Sequence, residues 1–196
     1  TDGIAGGRHK VFGNHALSII PQTSTIASHL PRAVGLALSA GVAPSAPTSW
    51  PADMVVVCSF GDGSLNHSTA QGALNWARHA AHRGERVPIL FVCEDNGLGL
   101  SVPSPDGWVR ASLAGRHGLT VASADGADPV ATWRATVGLV DEIRRSGRPG
   151  VLHLSTVRFL GHAVTDVESA YRGVAEVNAD LARDPIISAA SVAAAW

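Results

Sequence analysis

Two polar turns, each closing an apolar run, constrain this chain more than any other feature. The first run, residues 54–60 (MVVVCSF), leads into Gly61-Asp62-Gly63. The second, residues 87–93 (VPILFVC), leads into Asp95-Asn96-Gly97. Short continuous apolar runs bounded by turn residues read as strands buried on both faces, as a parallel sheet requires. Between them lies a small-residue pattern with helical spacing over 68–82 and a polar loop, His82-Arg83-Gly84-Glu85-Arg86. One helix joining two such strands is a right-handed crossover, so both turns emerge at the carboxyl edge of one sheet.

Those turns carry oxygen donors. Asp62 offers an anionic oxygen, Asn96 a neutral one, and the Leu98 carbonyl a third. A magnesium ion takes such donors and completes six-coordination with phosphate oxygens and water. Gly61 and Gly63 let main chain approach a phosphate closely, with Ser64 beside them. A lone Gly-Asp-Gly is common in turns; its recurrence with Asn-Gly one crossover later is the stronger signal. The dinucleotide pattern GxGxxG follows none of these strands.

Alternation continues along the chain. A helix is expected over Ser28–Ala40, with Pro31 in its first turn and small apolar residues all round, hence buried. Residues 41–52, with Pro44, Pro47 and Pro51, read as a surface connection, and residues 1–25, with Gly3, Gly6, Gly7, Gly13 and Pro21, as irregular. After the glycine- and proline-rich loop 96–108 come a short helix at 108–117, a strand at 119–122, a helix at 129–146, a strand at 151–157 and a weak helix from Ala175. The expected class is α/β, a parallel sheet flanked by helices, in a single domain over 1–196.

Charge argues against some partners. With net charge −1, nothing marks a nucleic-acid surface, and no apolar run reaches the roughly 18 residues of a membrane span. Charged residues are only 16% of the chain, which fits a subunit interface or simply an alanine- and glycine-rich composition. Cys58 and Cys93 sit inside apolar runs and read as buried thiols in a reducing, cytoplasmic setting.

Four stretches together resemble one family. GDG with Asn some thirty residues later is similar to the thiamine diphosphate motif. GGRHKVFGN with PQTSTIASHLPRAVG, CEDNGLGLSVPSPDGW, and RFLGHAVTDVESAYR resemble three regions of the alpha subunits of 2-oxo acid dehydrogenases, of branched-chain or pyruvate type. The resemblance implies the thiamine diphosphate-binding fold and an enzyme that decarboxylates a 2-oxo acid and passes the acyl group to a lipoyl carrier. It implies that Asp62, Asn96 and the Leu98 carbonyl hold magnesium. Gly61, Gly63 and Ser64 would lie along the diphosphate, and Ser24 and Ile26 against the aminopyrimidine. His162 would be the catalytic loop histidine, with Arg158 near the cofactor and steadying the loop. It further implies a beta subunit supplying the other half of the site, in an alpha2-beta2 heterotetramer, and a lipoyl-bearing acyltransferase or another carrier protein as acceptor.

Blander readings accompany several of these residues. Ile26 also fits plain packing and His162 a solvated loop histidine. His9, His15, His29 and His67 are further candidates near the site, a capping or core role being open for His29. Asp166 and Glu168 fit ion pairs within the loop, for example to Arg172, and Trp76, Trp108 and Trp133 fit core or interface anchors. Three departures from the family stand out. A Tyr-Arg pair ahead of this region is expected to be missing, Glu94 stands where Arg is usual, and the loop lacks a Ser-Thr-Ser run for kinase control. Two alternatives stand beside this reading: a transketolase-like or acyloin-forming two-carbon transfer, which a compact, divided subunit allows, and a non-catalytic stabilising subunit, which Glu94 and the expected lack of the Tyr-Arg segment favour.

Overall fold

The computed structural model describes residues 13–22, 24–42 and 50–195, so His9 and most of the GGRHKVFGN stretch lie outside it. The elements run α1 (His29–Val42), β1 (Val56–Gly61), α2 (Asp62–Leu65), α3 (Ser68–His82), β2 (Ile89–Asp95), β3 (Leu98–Gly99) and β4 (Val102–Pro103). There follow α4 (Trp108–Ala114), β5 (Thr120–Asp125), α5 (Pro129–Ser146), β6 (Gly150–Ser155), α6 (Val174–Leu181) and α7 (Pro185–Ala194), with a 3-10 turn at Glu168–Ala170.

Local chemistry explains the two long helices. α3 is capped by His67, whose side chain accepts from the Thr69 N–H, and buries Ala70, Ala73, Leu74, Ala77 and Ala81 at helical spacing. In α5 the Asp128 carboxylate accepts from the N–H groups of Val130 and Ala131, and Pro129 fills the first turn. Gly147, at φ +66°, closes α5 in the left-handed region, and Arg144 and Arg145 meet the negative end of its dipole.

The main sheet has four strands in the order β1-β2-β6-β5, all parallel. α1, α3 and α4 cover one face, packing Leu30, Val34, Leu74 and Leu113 on Cys58, Phe60, Ile89, Phe91 and Val151. α5 covers the other, setting Leu139 and Ile143 on Leu90 and Leu152. The chain thus advances over one face from β1 to β2 to β5 and returns over the other to insert β6, as right-handed crossovers dictate. Asp95, Ser155 and Asp125 end abreast at the carboxyl edge.

Several boundaries move. β2 continues through Glu94 and Asp95, two residues past the apolar run, and β6 stops at Ser155. Loop 96–108 contains the antiparallel pair β3–β4, and the tail forms two helices. α1 is fully buried only along Leu30, Val34 and Ala37, while Arg32 and Ser39 face solvent, so it is one-sided rather than buried all round. Trp76, Trp108 and Trp133 are exposed, which removes the core reading for them.

Candidate functional site

The carboxyl ends of β1 and β2 bring the two polar turns together. Asp62 opens α2 directly after β1 and is only 2% exposed. Its Oδ2 accepts a hydrogen bond from the Ser104 hydroxyl at 2.9 Å. No arginine or lysine pairs with it among the described residues. Burial pushes its carboxyl above the ordinary carboxylate range, Ser104 and the Gly63 N–H oppose this, and the charge of Asp95 adds to it. A desolvated carboxylate with no cation from the protein is the condition a metal ion relieves.

Across from it, Asn96 and Gly97 turn the chain out of β2. The Asn96 Oδ1 accepts from the Leu98 N–H at 3.0 Å, which leaves a second lone pair on that oxygen. Gly97 sits at φ +74°, where a side chain would be strained. Leu98 faces Pro103 in the β3–β4 pair, and proline has no N–H to give the Leu98 carbonyl. A Cβ on Gly63 would stand 3.1 Å from the Cα of Gly99, so α2 and the hairpin touch main chain to main chain. The expected donors are one carboxylate, one amide oxygen and one main-chain carbonyl. Among the described residues no group of three or more His, Cys, Asp or Glu side chains is placed to hold a metal. A hard cation here therefore needs further oxygens from a ligand, which suits magnesium with a diphosphate.

Other expected residues fall as follows. Ser24 and Ile26 are exposed ahead of α1, and the buried Ala27 beside them is held at φ +60°. An alanine in the left-handed region is a strained position, and here it turns Ile26 outward while Ala27 packs inward. Plain packing therefore does not account for Ile26. Ser64 is half-buried in α2, and Gly61 ends β1. His29 bonds the Ser59 carbonyl at 2.8 Å, joining α1 to β1, and His67 caps α3, so both have structural work; His15 is exposed.

His162 is exposed on the loop after β6, with its N–H on the Asp166 carboxylate at 2.6 Å. Asp166 also accepts from the Tyr171 hydroxyl at 2.6 Å, and these two bonds hold its carboxyl below the ordinary range. Arg158 donates to the Leu100 carbonyl at 2.6 Å and to the Tyr171 oxygen at 2.5 Å. Its guanidinium thus binds the loop to the β3–β4 turn, where Leu100 is at φ +61°. That engagement fits the expected part of Arg158 in steadying the loop. Arg172 is buried beneath it, paired with Glu168, Glu176 and Asp180 and donating to the Arg158 carbonyl. Glu168 pairs with Arg172 as expected, whereas Asp166 serves Tyr171 and His162 instead.

Three contributors escaped the sequence reading. Ser104 reaches Asp62 across 42 residues, and Tyr171 ties Arg158 to Asp166. His153, buried in β6, bonds the Asp95 carboxylate at 2.7 Å. Its signal was a histidine set within the apolar strand VLHLS. Beside these groups a cleft of about 260 Å³ opens at the carboxyl ends of β2 and β6, lined by Asp95, Asn96, Ser104, Thr156 and Arg183. It lies where the strand order reverses, the usual place for ligands on such sheets.

Comparison with known proteins adds to this geometry. Residues 1–192 match the family model described as "Dehydrogenase E1 component". The sequence is 27% identical over 192 residues to the 2-oxoisovalerate dehydrogenase subunit alpha of Bacillus subtilis, covering 95% of this chain and 54% of that one. It is 31% identical over 170 residues to the mitochondrial 2-oxoisovalerate dehydrogenase subunit alpha of Homo sapiens, covering 85% of this chain and 36% of that one. The chain therefore spans about half or less of the length of these curated relatives. In structure it is similar to transketolase from Leishmania mexicana, with TM-score 0.50 and 18% identity over 86% of this chain and 26% of that one. That likeness is one of fold alone.

Proposed function

The chain belongs to the dehydrogenase E1 component family, and on that premise we propose that it forms the diphosphate and metal side of a thiamine diphosphate-dependent 2-oxo acid dehydrogenase. The observation that carries this reading is Asp62. It is a buried carboxylate at a strand end, without a cationic partner among the described residues, bonded to Ser104 and facing a hairpin that Gly63 touches. Asp62, Asn96 and the Leu98 carbonyl would hold magnesium. Gly61, Gly63 and Ser64 would lie along the diphosphate, and Ser24 and the outward-turned Ile26 against the aminopyrimidine.

When bound, thiamine diphosphate supplies the carbon nucleophile and the electron sink for decarboxylation. The chain's own part is to bind, orient and move protons. Its glycines would admit phosphate to main-chain N–H groups, and Asp62 would hold the magnesium ion that offsets the diphosphate charge. The imidazole of His162, which has no hydrogen-bond partner among the described residues, would hold or give a proton at the substrate oxygen. Asp166, Tyr171 and Arg158 would fix the loop that carries it. The substrate we propose is a branched 2-oxo acid, as the names of the relatives suggest, and the acceptor a lipoyl group. The assembly is an alpha2-beta2 heterotetramer in the cytoplasm, in which the beta subunit completes the site.

Calorimetric titration of thiamine diphosphate into the full-length protein with its beta subunit tests this reading. Binding in magnesium and loss of binding in EDTA are expected. Asp62→Ala should lose the magnesium dependence. Binding by that variant equal to wild type would remove Asp62 from the site, and no binding by the wild type would sink the cofactor assignment.

A further inference from the structure

We propose that His153, which belongs to neither polar turn, is a positioning residue that sets the affinity of the metal site by holding Asp95. The inference deepens the reading above and rests on it. His153 lies in the middle of β6, 7% exposed, between Leu152 and Leu154. An imidazole in such a strand needs a strong partner, because a polar group buried without one loses the hydrogen bonds water gave it. Its partner is the Asp95 carboxylate. In the register of β2 and β6, His153 is opposite Cys93, so its ring reaches toward the carboxyl edge to meet Asp95 Oδ2 at 2.7 Å.

Asp95 is thereby fixed at both oxygens, since its Oδ1 accepts from the Gly97 N–H at 3.1 Å. Its main-chain carbonyl takes the Thr156 N–H at 2.7 Å. From Gly97 the connection continues, because the Gly97 carbonyl accepts from the Ser104 N–H at 2.8 Å and the Ser104 hydroxyl donates to Asp62 at 2.9 Å. One unbroken series of bonds thus runs from His153 through the turn to the other proposed ligand. Asn96 and Leu98 ride on the segment in between. Without the histidine, Asp95 is free to leave Gly97, and the turn that presents both oxygens loses its anchor. Groups that orient metal ligands from behind typically change affinity 10- to 100-fold when removed.

The test measures Mn2+ binding, with thiamine diphosphate present, to the full-length protein co-expressed with its beta subunit. Electron paramagnetic resonance of free Mn2+ reports affinity without reference to turnover. His153→Gln places an amide nitrogen where Nε2 stands, and His153→Asn is one methylene too short to reach Asp95. The expected result is a tenfold or greater loss of affinity in the Asn variant and a loss of no more than about threefold in the Gln variant. If the Asn variant does not fold, His153→Leu takes its place with the same expectation, since leucine suits the strand and cannot donate. Equal affinity in the Gln variant and the non-donating variant, whether normal or lost, overturns the proposal. Failure of the wild type to bind Mn2+ would instead overturn the parent reading, and this inference with it.

Discussion

Replacing Arg172 by Met should melt the histidine loop and leave the sheet intact. The guanidinium is 2% exposed and meets Glu168 at 2.6 Å, Glu176 at 2.9 Å and Asp180 at 2.5 Å. Glu176 is 54% exposed and recovers its water when the arginine is gone, so it contributes little. Glu168 and Asp180, at 19% and 22%, stay mostly covered. Each loses a charged hydrogen bond, for which about 1.5 kcal/mol is the low end of the usual range. The Arg158 carbonyl loses its donor as well. Against these stands the relief of not burying a guanidinium, while methionine replaces most of its stem volume. The net is about 2–4 kcal/mol, which raises the opening constant of the segment roughly 30- to 1000-fold. Hydrogen exchange read by mass spectrometry is the assay. Amides of His162, Asp166, Ala170 and Arg172, all bonded within the loop, should exchange faster by that factor. Those of β2 should not change, because local openings draw on local contacts. Equal acceleration in loop and sheet, or none in the loop, would refute the reasoning.

Other outcomes follow from the same geometry. Because Asp62 has a raised folded-state pKa, the folded chain binds that proton more tightly than the unfolded chain. Stability from this group therefore grows as pH falls through the raised value and levels off below the ordinary 3.8. In metal-free protein, Asp62→Asn should thus raise the melting temperature at pH 7, with the advantage shrinking at pH 4, even as it weakens magnesium-dependent binding. Gly63→Ala pushes a methyl to 3.1 Å from the Gly99 Cα, and calorimetry should find weaker thiamine diphosphate binding with a melting temperature near that of wild type. Burial pushes the Cys58 thiol up to about 12 and raises Cys93 as well, so neither should react with a thiol reagent at pH 8 until denaturant is added.

How much of this was legible follows from what each feature depends on. Helices 68–82 and 129–146 fall on the expected residues, because period, capping groups and the closing Gly147 are local. The strand ends were not. β2 runs on through Glu94 and Asp95, and an apolar count stops where a strand enters a polar site. Asp62 and Asn96 could be placed at the carboxyl edge of the sheet because each follows its own strand directly. Ser104 and His153 could not be assigned roles, since their partners Asp62 and Asp95 are brought to them only by the sheet register and the β3–β4 hairpin. Nor does order along the chain show that β6, the last strand, lies inside the sheet rather than at its edge.

That placement of β6 governs how the fold is assembled. β5 pairs with β6 alone, and β2 has β6 as its partner on the side away from β1. During synthesis, β5 therefore leaves the ribosome with no neighbour to bond. Its strand bonds form only when residues 150–155 are free to pair with it and with β2, although Leu119 and Val121 have the α1–α3–α4 core to pack on before then. Without β6 the described strands of the main sheet are a β1–β2 pair and an unbonded β5, each with an open edge, the condition that invites wrong strand partners. The strand that separates β2 from β5 also carries His153 to Asp95, and the segment that follows it brings Arg158 to the β3–β4 turn, so the Asp95 turn and the hairpin beside it both lean on the strand inserted between earlier ones.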